Sequence, residues 1–403
     1  MKITIFSDSH LGYKYGEERG EDSFNSLQEI INNSLDSDLI ITAGDLFDSR
    51  IPRQEITAKA ARILSKTQEV PSKTKLIEIR NKETHEINPL SLRGIPIVAI
   101  NGNHDKRAKY LTNPVQVLEH AGLLVHLDRS TALFEIEGRL VAVHGMSYVH
   151  ERYAKDALNE WNPKPVENAI NILVLHQSIS PYIFNPLEPP TIDIQDLPKG
   201  FDLYVEGHIH WREIRELHNS KFLLAGSTTP TSVHRKEAEQ PKAYYLYDGR
   251  NIETKIIQSQ RKIIYEELEF NPNIRSHIET LLQTIPPQTP KPMVFIKIKG
   301  NLSRDSSSPN LSILEEKFRN KAIISINKDL QFEGFEEQAE MLKSLREQKL
   351  SPEEHGLKIL QKNLENSNCW LKVEDIFDFL VEGETDKVFN IMTGKQTTLR
   401  GLE

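Results

Sequence analysis

Cysteine is almost absent: Cys369 stands alone in 403 residues, so no intrachain disulfide and no thiolate-rich metal site can form. Apolar runs of the roughly 18 to 20 residues that a bilayer crossing requires are missing as well. There is no excess of positive charge, since 50 Lys and Arg face 58 Asp and Glu for a net charge of −8. That balance argues against a uniformly basic surface that coats nucleic acid. A nucleic-acid enzyme built this way needs local basic patches and metal ions to meet phosphates. The opening Met1-Lys2-Ile3-Thr4-Ile5-Phe6 reads into a strand, not into a cleavable signal peptide, which sets the expectation of a cytosolic or nuclear protein. With 38% apolar and 27% charged residues, the composition is that of a globular chain, and its length suits two or three domains.

Apolar runs and amphipathic stretches alternate through the first 260 residues. Lys2–Ser7, Leu39–Thr42 and Ile95–Ile100 read as buried strands. Glu21–Leu35 reads as a helix with Phe24, Leu27, Ile30 and Ile31 on one face, and Arg53–Gln68 as another that follows Pro52. Further strands are expected at Thr131–Ile136, Leu140–Val143, Asn171–Leu175, Asp202–Val205, Phe222–Ala225, Ala243–Tyr247 and Ile252–Ile257. Such an order implies an α/β sandwich with a mixed sheet or sheets. Ser72–Arg93 is polar and weakly periodic and reads as a surface insertion in the form of a short hairpin. Residues 261–332 carry strands at Ile263–Phe270, Met293–Lys299 and Ala322–Ile326 and helices at Ile274–Gln283 and Leu311–Asn320. This small α/β unit has no catalytic signature of its own. Residues 333–403 read as a charged helical tail, in which Val373, Ile376, Phe377 and Leu380 form an apolar stripe at i, i+3, i+4, i+7.

Five apolar runs end in residues of metal-ligand type: Asp8 and His10; Asp45; Asn103 and His104; His176; His208 and His210. A strand gives a rigid backbone, and the loop beyond it can aim a side chain into a crevice at the carboxyl ends of the strands. Taken singly, each piece has a plain structural explanation. Gly44-Asp45 and Gly102-Asn103 suit turns, and His176 suits a satisfied buried histidine. The recurrence carries the inference. Carboxylates, imidazoles and an amide without thiolates suit manganese(II), iron or zinc, and a carboxylate can bridge two ions roughly 3.5–4 Å apart.

In this order, Asp8-x-His10, Gly44-Asp45, Gly102-Asn103-His104-Asp105, His176 and Gly207-His208-x-His210 resemble the calcineurin-like metallophosphoesterase superfamily. The resemblance implies a metallophosphoesterase β-sandwich flanked by helices, with one metal on Asp8, His10, Asp45 and His210. It implies a second on Asp45, Asn103, His176 and His208, and it gives His104 the part of stabilising the transition state or protonating the leaving oxygen. Ser7 to Tyr13, Asp45-Leu46-Phe47-Asp48, Leu175-His176-Gln177 and Asp196-Leu197-Pro198-Lys199-Gly200-Phe201 resemble the meiotic-recombination-eleven DNA repair nuclease family more narrowly. That family implies a nuclease domain at 1–260, a DNA-binding capping domain at 261–332, and a tail at 333–403 that docks an SMC-like coiled-coil ATPase. It also implies two manganese(II) ions, 3′-to-5′ exonuclease and single-strand or hairpin endonuclease activity on DNA, and a homodimer. For dimer helices the expectation falls on Arg53–Gln68 and Pro114–Ala121, with Ile56, Ala60, Ile63 and Leu64 as apolar contacts; packing on the chain's own sheet would use the same residues.

Two features depart from the narrower pattern. Asp48 stands where many family members have histidine, and it is read here as a partner that orients His104. The Ser72–Arg93 insertion is the other. Lys106, Arg107 and Lys109, and again His234, Arg235 and Lys236, form small basic clusters that either contact phosphates or lie solvated. The alternative reading keeps the chemistry and changes the substrate to small phosphodiesters or phosphomonoesters.

Overall fold

The computed structural model describes residues 1–108, 110–183, 192–231, 235–302 and 310–332. In the tail it describes residues 356, 357, 360, 361, 364, 372, 373, 376–381, 388, 389 and 391. Two compact units divide the chain: Met1–Leu268 with Arg275–Lys297 and Leu311–Asn327, and Glu269–Ile274 with Ile298–Asn310 and Lys328–Glu403.

The first unit is built on two facing sheets. One runs β15 (Ile252–Ile256), β14 (Ala243–Tyr247), β1 (Ile3–Phe6), β2 (Leu39–Ala43), β4 (Ile97–Ile100), β5 (Val125–His126). From β1 to β5 its strands are parallel, and their unbroken apolar sequences suit strands covered on both faces. The other runs β12 (Glu213–Leu217), β13 (Ser220–Leu224), β11 (Leu203–Glu206), β8 (Ala169–Leu175), β7 (Arg139–Met146), β6 (Ser130–Ile136), β3 (Thr74–Arg80). Ile5, Ile41, Val98 and Tyr245 from the first sheet meet Phe134, Val143, Val174 and Val205 from the second in one buried layer. A mixed α/β sandwich results, as the alternation of strands and helices implies.

Helices cover the outer faces. Phe24, Leu27, Ile30 and Ile31 of α1 (Asp22–Asn32) are buried against the first sheet, each burial worth about 1.5–3 kcal/mol. Ile56, Ala60, Ile63 and Leu64 of α2 (Gln54–Leu64) join the same core. Those four side chains are buried in the chain's own core. The α3 helix (Pro114–His120) opens on a capping box in which Asn113 and Gln116 bond reciprocally. On the second sheet lies α4 (Glu151–Trp161), a mostly polar helix of which only Ala154 and Leu158 are buried.

The insertion is not a hairpin. Its strand β3 pairs antiparallel with β6, Leu76 facing Phe134 and Ile79 facing Ala132, and so forms an edge of the second sheet. Pairing uses main-chain groups alone, so a polar sequence can occupy an edge. Two short strands, β9 (Ile179–Ser180) and β10 (Ile192–Asp193), pair in parallel, and three more, β16 (Ile263–Glu269), β17 (Met293–Leu302) and β18 (Ile323–Phe332), form a separate sheet in that order.

In the second unit Ile376 and Val388 pack with Leu360, Leu364, Phe379 and Ile391. Val373 and Ile376, two members of the expected docking stripe, are thus buried, while Leu380 and Phe389 are exposed. Lys109, His234 and most of the tail lie outside the described residues. Among the described residues no helix is long and apolar enough to cross a membrane.

Candidate metal centre

The polar residues that follow β1, β2, β4, β8 and β11 converge at one end of the sandwich. Asp8 comes just past β1. Its Oδ2 accepts from the Ser7 hydroxyl at 2.5 Å and from the His208 amide at 3.1 Å. Its Oδ1 is buried with no hydrogen-bond partner and lies 3.8 Å from His210 Nε2. Asp45 divides its oxygens similarly. Oδ1 accepts from the His104 amide at 2.8 Å, and Oδ2 sits 3.3 Å from His176 Nε2 and 3.9 Å from His10 Nε2. One carboxylate oxygen thus stands between two groups of imidazoles. His10 and His210 bring their Nε2 atoms within 3.2 Å on one side. On the other, Asn103 Oδ1 lies 3.2 Å from His176 Nε2 and 3.1 Å from His208 Nδ1.

The backbone is bent to achieve this. Asp8, His10, Asp45 and His208 have φ of 51°, 45°, 46° and 70°, a left-handed conformation that side chains other than glycine rarely adopt. Such strain costs on the order of 1–3 kcal/mol per residue and persists only where the surroundings hold it. Gly102 is required for a different reason: a Cβ there would fall 2.1 Å from Asp45 Oδ1.

Surrounding groups fix the donors. His176 donates from Nδ1 to the Ala43 carbonyl at 2.7 Å, which turns Nε2 toward Asp45 and Asn103. His210 Nδ1 lies 2.7 Å from the Thr231 hydroxyl. Behind it Lys242 donates to Glu237 at 2.9 Å, to Ser227 Oγ at 2.8 Å and to the His210 carbonyl at 3.1 Å. Asp105 accepts from the amides of Leu46, Phe47 and Gly102 at 3.1, 2.9 and 3.1 Å, tying the Asp45 loop to the Asn103 loop. Thr231, Glu237 and Lys242 carry no motif that sequence reasoning could find, because the His210 that they support lies more than 20 residues back along the chain.

Asp48 serves two histidines, His104 as expected and His10 as well. Its carboxylate accepts from His10 Nδ1 at 3.2 Å, while its contact to His104 Nδ1 is through the main-chain carbonyl at 3.1 Å. The carboxylate lies 3.9 Å from that nitrogen. Asp48 therefore orients both histidines, each by a different group. His104 is the most open member of the cluster, its side chain 42% exposed.

Titration equilibria in the cluster are strongly displaced. Burial raises the Asp8 carboxyl to about 6, against the pull of His176 and with the help of Asp45. Burial opposes a proton on His176, but Asp45 and then Asp8 outweigh it and push that imidazole up to about 10. Burial and the His176 charge bring His208 down to about 4. Burial, then His10 and Lys242, hold His210 well below the usual range. Charges crowded this way call for a cation. The donor set fits divalent ions: two carboxylates, one amide and four imidazoles, with facing ring nitrogens and an unpartnered buried oxygen that a cation would reconcile. Asp8, His10 and His210 form one possible ligand group, and Asp8, Asp45 and His176 another.

A model of the calcineurin-like phosphoesterase family matches residues 1–212, just over half of the chain. The chain belongs to the calcineurin-like phosphoesterase family. Membership implies a dinuclear metal site, in keeping with the clustered donors. Among curated relatives, the DNA double-strand break repair protein Mre11 of Sulfurisphaera tokodaii is 30% identical over 247 residues, 59% of this chain and 56% of that protein. The Mre11 of Sulfolobus acidocaldarius is 29% identical over 59% of this chain and 57% of its own length. That of Methanococcus maripaludis is 26% identical over 75% of this chain and 79% of its own. The chain spans little more than half the length of the first two. Within that family the chain is similar in sequence to these three Mre11 proteins.

Proposed function

We propose that this phosphoesterase is a manganese-dependent DNA nuclease that acts in double-strand-break repair. The observation that carries the reading is the pair of donor groups on either side of Asp45 Oδ2, with an open histidine, His104, at their rim. The resemblance to three proteins named for DNA double-strand break repair supports the choice of DNA.

In this reading Asp8, His10, Asp45 and His210 hold one ion, and Asp45, Asn103, His176 and His208 hold the other. When bound, the two ions supply an activated water nucleophile and neutralise charge on the phosphate. His104 acts on the leaving 3′ oxygen. Its Nδ1–H is held by the Asp48 carbonyl, which leaves Nε2 as the nitrogen that gives the proton. The strained loops keep the ligand atoms in place without reorganisation. Both 3′-to-5′ exonuclease action and cutting of single strands or hairpins belong to the proposal. So do a capping role for 261–332, a homodimer, and docking of an SMC-like ATPase on the 333–403 tail, where Leu380 and Phe389 remain exposed. A nucleoid or nuclear location follows from the same reading.

The test is cleavage of end-labelled duplex and hairpin DNA with manganese, comparing wild type with His104→Ala. Wild type should cut and the variant should lose about 10²–10⁴-fold in rate while still binding DNA. Turnover of a small phosphodiester with no DNA cleavage would move the substrate to the smaller class. Cleavage by the variant at the wild-type rate would remove His104 from its role.

A further inference from the structure

A cleft of about 580 Å³ opens between the segment after the Asn103-His104 turn and helix α4. It is not part of the donor cluster, but it adjoins it. The Tyr148 ring in its wall lies 6.3 Å from the His208 ring, tilted by 30°. Tyr148 is fixed from both ends. Its hydroxyl donates to Glu151 at 2.7 Å, and Lys106 donates to its carbonyl at 3.0 Å with the ammonium 5.2 Å from the ring centre. Two further tyrosines line the cleft, Tyr153 at 55% exposure and Tyr110 at 92%. Tyr153 packs edge-on to His150 and under Arg152, yet it and Tyr110 still present ring surface to the cleft, so that three tyrosines line it.

The charges of the lining say what kind of ligand fits. Lys106, Arg107 and Arg129 are matched by Asp128, Asp156 and Glu160. Arg129 is already engaged, within 3.9 Å of Asp128 and 4.0 Å of Glu160. A groove that tracks a phosphate backbone carries an excess of cations, and this cleft does not. Aromatic faces with balanced polar groups suit a nucleobase, which stacks on its face and meets donors and acceptors at its edge. On α4 the spacing is helical: Tyr153, Asp156, Ala157 and Glu160 lie at i, i+3, i+4 and i+7 and present a single face.

We propose that this cleft is a base-accepting subsite, which takes an unpaired nucleotide next to the phosphate held at the metal centre. The proposal rests on the nuclease reading and deepens it, since it specifies that the strand is locally single at the cleft. A duplex would have to fray there before cutting.

The test uses the full chain with calcium in place of manganese, so that a phosphate can be held without the strand being cut, and two fluorescent probes of equal length and charge. One is oligothymidylate, and the other carries abasic sites in place of the bases. Fluorescence anisotropy should show the thymidine strand bound at least about fivefold tighter, as expected of base stacking. A Tyr110→Ala, Tyr153→Ala double variant should abolish that preference and leave binding of the abasic strand unchanged. Equal binding of the two probes by wild type overturns the subsite, even if the enzyme cuts DNA in manganese. Persistence of the preference in the double variant overturns it too. If that persistence comes with a changed sedimentation coefficient, the tyrosines belong to a contact between copies. Base preference in wild type without any cleavage in manganese would sink the nuclease reading alone.

Discussion

Two buried polar clusters lie close together in the first unit, and they are built on opposite principles. Around His126 every group finds a partner. Lys82 donates to Glu119 Oε1 and to the His126 carbonyl, both at 2.7 Å, and the same carboxylate oxygen accepts from the His126 amide at 2.7 Å. His126 Nε2 then meets Asn101 Oδ1 at 3.1 Å and Ser147 Oγ at 3.2 Å. Around Asp45 the groups converge without being satisfied. Two imidazole nitrogens face each other, a carboxylate oxygen accepts no hydrogen bond, and four residues are held in left-handed backbone. A closed network stabilises the fold by itself. An open one is maintained by the fold and needs something else to complete it. The contrast separates a structural histidine from candidate ligands within one domain.

The comparison can be broken from either side. The largest effect should come from Asp45→Asn, which removes the oxygen shared by both donor groups and should lower manganese-dependent cleavage by at least about a thousandfold. Equal activity in that variant would contradict the bridging role. Lys82→Met should act on stability instead. Breaking a buried ion pair costs about 3–5 kcal/mol, seen as a lower denaturant midpoint, whereas manganese affinity should stay within twofold of wild type, roughly 0.4 kcal/mol.

Smaller effects come from the groups behind the donors. Thr231→Val removes the hydroxyl at His210 Nδ1 and should weaken manganese binding by about 10–100-fold, the usual weight of such supporting bonds. Calorimetric titration reads it directly, and unaltered affinity would show that His210 needs no orientation from Thr231. Acid should act on the closed network. Burial, and then the Lys82 charge, hold His126 down at about 3. A folded-state value below the ordinary one means that its stabilising contribution is complete above about 6.5 and is lost as pH falls toward 3. Thermal melts of wild type and His126→Gln across that window should show a shallower acid decline in the variant. Parallel curves would mean that other groups dominate.

Much of the architecture was legible because its signals are local. Strands β1, β2, β4, β8 and β11 are short apolar runs, each followed at once by polar residues, so strand and donor are read together. Elements that depend on distant partners were not legible. The insertion strand β3 is polar and is recruited by the open edge of β6. Helix α4 buries only two side chains and is mostly polar along the rest of its length, so no apolar run marks it. The apolar stripe of α2 was ambiguous by nature, since packing on a sheet and packing on a second copy demand the same residues. In the site, the choice of Asp48 between His10 and His104 depends on which group of Asp48 points where, and a sequence carries no record of that. Glu237 and Lys242 support His210 from more than 25 residues away, outside any motif.

The central claim is that the Asp45 cluster holds two divalent ions. Equilibrium dialysis against manganese, with the metal per chain counted for wild type and Asp45→Asn, tests it most directly. Two ions per wild-type chain, with at least one lost in the variant, is the predicted result. No bound ion in wild type, or the same count in both proteins, would contradict it.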